Sequence, residues 1–283
     1  DVLVAADVFN GLASYDSATG KRLWQTPNVV DRRANPAIWR KDGKSYLVCG
    51  IGSLKGEYSL LDTRDGRVLW THEVAGPAHM GAIVSGDIAL FNTKGYGQNA
   101  GAPSENKDRA GVFGGFELST GGAKKLWEMD DVPENWTEVR PDIGRIRRAI
   151  VHDGVAYMVI GNLAPINDNP SRRNYPVSVD LKSGKVIQRG TTPMPVFAGT
   201  PYAVENRVIV AGNVGHSWYE VHFFDFKLKQ NGAFEPAPQP YLPAKAGVFF
   251  VTEYEAPIEF AWWKGRMVGK TRKGLVCLDL RKP

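Results

Sequence analysis

The sequence predicts an all-β fold assembled from repeated four-stranded antiparallel units, and three observations lead to this prediction. A hairpin with the sequence GLASYDSATGKRLW recurs along the chain, its first strand alternates between two unlike faces, and glycine and proline are plentiful (31 and 18). The hairpins recur at intervals of roughly 40–60 residues, as in β-propellers, whose blades bury their faces only against their neighbours. We therefore predict a β-propeller with about six visible repeat units, trimmed or incomplete at its ends.

The first copy of the hairpin occupies residues 11–24 and shows what each position is expected to do. Asp16 ends the first strand, where a carboxylate can accept hydrogen bonds from the N–H groups of the following turn. Gly20 follows at a position that requires a positive φ angle, which glycine adopts without steric cost. Trp24 lies on the returning strand.

Later copies retain an acidic residue, a turn glycine and an aromatic residue at corresponding positions. These are Asp62, Gly66 and Trp70 in the second copy, Glu117, Gly121 and Trp127 in the third, and Asp180, Gly184 and Gln188 in the fourth. The third copy has two extra residues before its tryptophan, and the fourth has glutamine in place of the tryptophan. Weaker fifth and sixth copies surround Asp225 and Asp279.

A second type of hairpin precedes these copies and completes the units. We predict such hairpins at residues 35–52, 79–93 and 145–161 in the second, third and fourth units, and further strands at 200–212, 218–228, 258–270 and 274–283 in the fifth and sixth. Polar or proline-rich stretches at 94–111, 130–144, 162–174 and 233–247 are predicted to be loops. The first unit lacks its first strand and the last lacks its fourth, so we expect either a truncated propeller of a larger parent or six blades with two imperfect edges.

Composition narrows the class of protein. Hydrophobic residues make up 43% of the chain, which is enough for a sizeable core, and no apolar run approaches the ~20 residues of a membrane span. The formal net charge of +5 favours acidic partners but is too small and too scattered to indicate nucleic acid. Cys49 and Cys277 are expected to be buried free thiols. The chain starts at Asp1 without a methionine, so we expect that a leader was removed or that the sequence was trimmed.

The repeats resemble the pyrroloquinoline-quinone-like propeller repeat, in which an aliphatic strand is followed by Asp, a Thr-Gly turn, Lys and Trp. Asp16, Thr19, Gly20, Lys21 and Trp24 match that pattern, and the resemblance extends over residues 1–283 as a single domain. It implies that the tryptophans pack between blades and that the Asp–Gly turns hold the hairpins. The repeat is shared by quinoprotein dehydrogenases, by outer-membrane assembly lipoproteins that bind no cofactor, and by many exported bacterial proteins.

Two arginine-rich segments precede equivalent strands and form the candidate ligand-binding site. Its residues are Arg32, Arg33 and Asn35 before the second unit, and Arg145, Arg147 and Arg148 before the fourth. If both segments open on the same rim of the central funnel, their guanidinium groups could hold carboxylates or sulfates through paired hydrogen bonds. Alternatively, these arginines are solvated or pair with acidic turns.

We therefore predict a noncatalytic binding or scaffolding propeller of an exported bacterial protein, monomeric and periplasmic or extracellular, which engages a protein or an anionic glycan. The alternative is a lyase acting on acidic polysaccharide, with His79, or His216 and Tyr219, as candidates for proton abstraction. A quinone-dependent dehydrogenase comes third, because the adjacent cysteine pair of quinone-binding members is missing from the sequence. We accordingly expect no cofactor, no metal and no nucleic-acid partner.

Overall fold

The chain forms antiparallel β-sheets in every part that the structure describes. A computed structural model of the 283-residue chain describes residues 2–7, 11–29, 36–51, 56–74, 81–94, 112–129, 149–161, 174–190, 196–214, 221–235, 260–264, 266–271 and 274–279. Within these ranges there are strands, turns and no helix. The predicted all-β class is therefore confirmed.

The strands are β1 (Val2–Asp7), β2 (Gly11–Asp16), β3 (Arg22–Thr26), β4 (Ala37–Lys41), β5 (Lys44–Ile51), β6 (Gly56–Asp62), β7 (Val68–Val74), β8 (Ile83–Ser85), β9 (Ile88–Lys94), β10 (Val112–Ser119), β11 (Gly122–Glu128), β12 (Ala149–His152), β13 (Val155–Gly161), β14 (Asn174–Asp180), β15 (Val186–Arg189), β16 (Val196–Val204), β17 (Arg207–Val214), β18 (Val221–Lys227), β19 (Phe260–Trp263), β20 (Arg266–Thr271) and β21 (Gly274–Asp279). Within each sheet, every strand pairs with its neighbours in sequence. The described residues form three four-stranded sheets (β4–β7, β8–β11 and β12–β15) and three three-stranded sheets (β1–β3, β16–β18 and β19–β21).

The hairpins β4–β5 and β12–β13 lie within the segments predicted as hairpins, 35–52 and 145–161, and each turns at an Asp-Gly dipeptide. Asp42 and Gly43 have φ angles of 50° and 71°, and Asp153 and Gly154 have φ angles of 47° and 74°. Two successive residues with positive φ are the mark of a type I′ turn, whose twist matches that of the two strands it joins. Asp-Gly is one of the dipeptides that this turn favours, which explains why the sequence pattern located it correctly.

The third hairpin does not turn at the residues that its alignment with the other copies predicts. Its two extra residues lengthen the hairpin, so that Ser119 pairs with Gly122 and Glu117 lies inside the sheet opposite Lys124. The Ser119 hydroxyl, and not the Glu117 carboxylate, accepts the turn hydrogen bond from the Gly121 N–H group (3.2 Å). Gly121 is also not among the described glycines with positive φ. The turn between Ser119 and Gly122 is too short to form the aspartate-to-glycine hydrogen bonds of the other copies.

The chain divides into two compact units. The first comprises Asp1–Ile146 and the turn Asp180–Lys185, and the second comprises Arg147–Val179 and Val186–Pro283. The turn belongs to the first unit because the Trp127 ring of that unit packs on Gly184.

The larger core cluster of the first unit is aromatic. The rings of Tyr58 and Phe91 stack with their centroids 4.3 Å apart, and Phe116 follows with its centroid 4.7 Å from that of Phe91. A second cluster contains Cys49, which is fully buried, as predicted. The prediction was wrong for Cys277, which is exposed, because a strand at the edge of its sheet turns alternate side chains to solvent.

The core of the second compact unit lies between the β12–β15 sheet and the β16–β18 sheet. Val155 and Tyr157 of β13 pack with Val208 of β17 and with Phe226 and Phe234. The rings of these two phenylalanines meet edge to face, with their centroids 5.5 Å apart.

Candidate functional site

The binding and catalytic candidates predicted from sequence lie outside the described residues. They are Arg32, Arg33, Asn35, His79, Arg145, Arg147, Arg148, His216 and Tyr219. The two arginine segments precede β4 and β12 in the chain, and each of these is the first strand of a four-stranded sheet. The proposed roles of all these residues therefore stay predictions.

The turns at Asp16, Asp62 and Asp180 share a backbone hydrogen bond from the turn glycine to the aspartate carbonyl. In the first turn, Asp16 Oδ1 accepts hydrogen bonds from the Thr19 N–H group (2.8 Å) and hydroxyl (2.7 Å), and the Gly20 N–H group donates to the Asp16 carbonyl (2.8 Å). The turn at Asp180 uses Ser183 in the same way, with 2.7 Å between its amide nitrogen and Asp180 Oδ1. These hydrogen bonds lower the pKa of both carboxyl groups, which consequently stay ionised in their turns.

In the second turn, the carboxylate of Asp62 accepts hydrogen bonds from a guanidinium group and not from a hydroxyl. Asp65 stands where the other two turns have Thr19 and Ser183, and Arg64 approaches Asp62 instead, with Nη2 2.6 Å from Oδ2 and Nε 3.0 Å from Oδ1. The Asp62 side chain is almost fully buried. Hydrogen bonds from the Arg64 side chain are the largest cause of its pKa being lowered to about 2.

This carboxylate makes a testable contribution to stability at low pH. Because the pKa of Asp62 lies below its unfolded value of 3.8, its stabilisation is present above about pH 4 and is lost as the pH falls through about 2. We expect a contribution on the order of 1–2 kcal/mol, since the exposed Arg64 is partly screened by solvent. In urea unfolding, the free energy of unfolding of Asp62→Asn should therefore not show this decrease at low pH. The Asp65→Asn variant should still show it. An unchanged acid dependence in Asp62→Asn would contradict the assignment.

Trp24 connects the first hairpin to the turn of the next sheet. Its indole Nε1 donates a hydrogen bond to the Thr63 carbonyl (2.9 Å), and its ring lies flat against Gly66, where a side chain would overlap it. The Thr26 hydroxyl donates to the carbonyl of the same glycine (2.6 Å). Trp24 is 9% exposed, so the contact is largely protected from water. One strand thus holds a neighbouring turn through a Trp-x-Thr pair.

The other two repeat tryptophans contact a turn in a related way. Trp70 Nε1 donates to the Ser119 carbonyl (2.8 Å), and Trp127 Nε1 donates to the Leu181 carbonyl (2.9 Å). The Trp127 ring also covers Gly184 as Trp24 covers Gly66. The tryptophans of all three copies therefore serve as packing residues.

In the fourth copy, the side-chain amide of Gln188 takes the place of the tryptophan. Gln188 pairs with Ser178 in the sheet, which is the register position that Trp24 occupies opposite Ser14. Gln188 Nε2 donates to the Phe234 carbonyl (3.0 Å), and Gln188 Oε1 accepts from the Phe234 N–H group (2.9 Å). The sequence comparison located this position but not its partner, which lies 46 residues further along the chain.

We expect Gln188→Leu to lower the free energy of unfolding by about 2 kcal/mol, because it leaves two buried backbone groups of Phe234 without partners. Gln188→Glu tests the pairing more sharply. A carboxylate can accept from the N–H group but cannot donate to the carbonyl, so this variant should regain stability relative to Gln188→Leu when the pH is lowered and the carboxyl group is protonated. Chemical unfolding at pH 7 and pH 4 measures both effects, and equal behaviour of the two variants would refute the double hydrogen bond.

Sequence reasoning missed the role of Asp87. Its carboxylate accepts hydrogen bonds from the Trp39 indole (3.1 Å) and the Lys41 ammonium group (2.6 Å), and its carbonyl accepts one from the Leu118 N–H group (2.8 Å). The bond from Lys41, followed by that from Trp39, lowers the pKa of Asp87. Trp39, only 1% exposed, is thus a core residue with its one polar atom satisfied.

His72 is likewise used in packing. It lies on β7, and its ring meets Phe116 edge to face with the centroids 5.0 Å apart. Burial is the main cause of its lowered pKa, and the charge of Lys125 adds to the effect. The neutral imidazole therefore completes the aromatic cluster of the first unit.

Among the described residues, no three His, Cys, Asp or Glu side chains come together in a group that could hold a metal ion. The same residues contain no helix with the length and apolar character needed to cross a bilayer.

Sequential four-stranded antiparallel sheets, tied to one another by tryptophan–turn contacts, define the class of protein as a β-propeller with quinoprotein-like repeats. The chain belongs to the family of the outer membrane protein assembly factor BamB, whose model matches residues 8–221. A comparison with curated protein sequences finds no match.

Solved structures agree on the fold. The β-propeller domain of Cps50 (Swd1) from Myceliophteria thermophila is 12% identical with a TM-score of 0.62, over 100% of this chain and 80% of that one. Hydrazine synthase from Kuenenia stuttgartiensis is 13% identical with a TM-score of 0.56, over 96% of this chain and 71% of that one. The computationally designed Ika8 protein is 10% identical with a TM-score of 0.53, over 99% and 68% of the two chains. At these identities the likeness concerns the fold alone.

Proposed function

We propose that this chain is a noncatalytic scaffolding propeller of an exported bacterial protein, and that it binds protein partners in the periplasm. The single observation that carries the proposal is the family match over residues 8–221, because that family is described as an outer membrane protein assembly factor. Such a role requires a rigid body that presents loops and strand edges to other chains.

The use of the described acidic side chains is consistent with this role. Asp16, Asp62 and Asp180 cap turns, and Asp87 ties two hairpins together. Each of them stabilises the scaffold through contacts inside the chain.

An anionic glycan is the second candidate ligand, and the arginine segments favour it. Arg32 and Arg33 precede β4, and Arg147 and Arg148 precede β12, so two basic clusters lead into corresponding strands of their sheets. The guanidinium groups of each cluster would offer the paired donors that carboxylates and sulfates accept. The lyase alternative would additionally require His79, or His216 with Tyr219, to reach the sugar ring.

Crosslinking followed by immunoprecipitation tests the protein-binding proposal. The full-length protein, tagged and expressed in its native cells, is compared with a variant that carries Arg32→Ala, Arg33→Ala, Arg147→Ala and Arg148→Ala. We expect components of outer membrane protein assembly to be enriched with the unaltered protein and to decrease in the variant. If neither protein enriches such components at equal expression, the proposed role is wrong.

A further inference from the structure

The tips of three successive hairpins lie next to one another in the first compact unit. They are the turns of the hairpins β6–β7, β10–β11 and β14–β15 with their flanking residues, 62–68, 117–126 and 180–185. Trp70, two residues beyond the first tip, donates to the Ser119 carbonyl of the second. Trp127, one residue beyond the second tip, donates to the Leu181 carbonyl of the third. Each tip is therefore held beside the next, and we call the three together the tip row.

The charges of the tip row are separated by their exposure to solvent. All six of its basic residues are exposed, whereas only two of its four acidic residues, Asp65 and Glu117, are exposed. Asp62 is buried and Asp180 is partly buried, and both carboxylates accept hydrogen bonds within their own turns. The side of the row that faces solvent is therefore positively charged. Its basic residues are Arg64, Arg67, Lys124, Lys125, Lys182 and Lys185.

Four of these six basic residues are available to a partner. Arg64 and Lys125 are already bound to carboxylates of their own hairpins, at 2.6 Å and 3.0 Å. Arg67 Nε approaches Asp65 Oδ2 only to 4.0 Å, and such an exposed pair contributes little. The other three basic residues form no ion pair with a described residue, and they are Lys124, Lys182 and Lys185.

Exposed apolar side chains accompany the basic residues at two of the tips. Val68 follows Arg67 and is 38% exposed, and Leu126 follows Lys125 and is 39% exposed. Leu126 is the extra residue of a β-bulge between Lys125 and Trp127, so it is left without a partner in the ladder. The solvent-facing side of the tip row thus combines positive charge with apolar surface.

We propose that the tip row is a surface that binds membranes containing anionic phospholipids. Lipid phosphate groups attract lysine and arginine side chains without a shaped pocket, which suits basic residues spread over three tips. An acidic protein would satisfy the same charges, but Val68 and Leu126 favour a bilayer, because its boundary with water accepts apolar and basic side chains together. The inference rests on the proposed function only in that an exported protein meets phospholipid surfaces, and it does not involve the arginine segments.

Co-sedimentation of the full 283-residue chain with lipid vesicles tests the proposal. Vesicles of phosphatidylcholine with about one third phosphatidylglycerol are compared with vesicles of phosphatidylcholine alone. We expect the chain to bind the anionic vesicles at about 0.05 M salt and to bind the neutral vesicles at least about tenfold more weakly. Raising the salt to about 0.5 M should release the chain, because the charges are then screened.

Two variants that each lose four positive charges locate the surface. The tip-row variant carries Arg67→Gln, Lys124→Gln, Lys182→Gln and Lys185→Gln, and it retains Arg64 and Lys125 with their contacts inside the chain. It should bind anionic vesicles about tenfold or more weakly. The control is the variant with Arg32→Ala, Arg33→Ala, Arg147→Ala and Arg148→Ala, which should bind them within about threefold of the unaltered chain.

The same pair of variants separates this proposal from the proposed function. In the immunoprecipitation described above, the tip-row variant should retain the protein partners that the control variant loses. Far-UV circular dichroism of both variants should match that of the unaltered chain, since the tip-row substitutions replace exposed side chains. Either proposal can therefore fail while the other holds.

The apolar part of the surface is tested by the double variant Val68→Ser, Leu126→Ser. We expect it to bind anionic vesicles about threefold more weakly. Its salt dependence should equal that of the unaltered chain, because no charge is lost. Unweakened binding of this variant would contradict a contact with the bilayer.

Three further results would overturn the proposal. The first is that the unaltered chain does not sediment with the anionic vesicles, which would leave an acidic protein as the partner of the exposed basic residues. The second is that the tip-row variant binds as tightly as the unaltered chain. The third is an equal loss of binding in both four-charge variants, which would mean that net charge and not the tip row attracts the protein to the vesicles.

Discussion

Gly66→Ala is expected to lower the free energy of unfolding by about 3 kcal/mol, whereas Gly20→Ala should lower it by only about 1 kcal/mol. Both glycines have φ angles near 70°, so both variants carry the strain of an alanine in the left-handed region. Only at Gly66 would the added methyl group also overlap the Trp24 ring; around Gly20 it would meet no described atom within 4 Å. The methyl group would also overlap the Thr26 hydroxyl, so the difference between the two variants measures the contact of the Trp24 and Thr26 side chains with the turn.

Urea unfolding monitored by far-UV circular dichroism measures both variants. Gly43→Ala is a second control, because Gly43 has a φ angle of 71° and lies in an open turn. It should resemble Gly20→Ala. Equal destabilisation of all three variants would show that backbone strain alone decides the effect and that the tryptophan–turn contact contributes little.

Trp24→Ala is expected to lower the free energy of unfolding by about 4 kcal/mol, which is the range for removing a large aromatic side chain from a packed site. The indole is 9% exposed and satisfies the Thr63 carbonyl, so the variant loses both apolar burial and a hydrogen bond. Leu23, the preceding residue on the same strand, is 50% exposed. Leu23→Ala should therefore change stability by less than about 0.5 kcal/mol.

The hydrogen bond can be separated from the burial with Trp24→Phe. Phenylalanine keeps an aromatic ring over Gly66 but has no N–H group, so the loss should lie between those of Leu23→Ala and Trp24→Ala. Guanidinium unfolding of the three variants provides the comparison. If Trp24→Ala is no less stable than Leu23→Ala, the tryptophan does not hold the turn.

Much of the fold could be predicted because it is specified by residues close together in sequence. The Asp-Gly turns and the alternating strands that flank them depend on local backbone preferences, and these are visible in a single repeat. The residues at Asp16, Gly20 and Trp24 consequently predicted where later hairpins would turn. The register of the third hairpin failed this rule because the two extra residues before Trp127 allow a shorter turn, in which Ser119 pairs with Gly122.

The contacts between hairpins could be predicted only in part. Trp24 and Trp127 were recognised from the repeat, but the carbonyls that they bind lie 39 and 54 residues away. The partners of Gln188 and Asp87 lie far away in the sequence, so no local sequence pattern specifies them. For the arginine segments, the spacing in sequence indicates equivalent positions but cannot show whether the guanidinium groups converge. That depends on the arrangement of whole sheets.

Thermal unfolding in the presence of candidate ligands tests most directly the claim that this propeller binds without catalysing a reaction. The panel contains acidic polysaccharides, pyrroloquinoline quinone with calcium, and neutral sugars, and the absorbance of unsaturated uronates is recorded in the same samples. A ligand that binds the native state raises the melting temperature by mass action. We predict that no sample gains absorbance and that the quinone with calcium leaves the melting temperature unchanged. Rising absorbance with an acidic polysaccharide would contradict the account and identify the chain as a lyase.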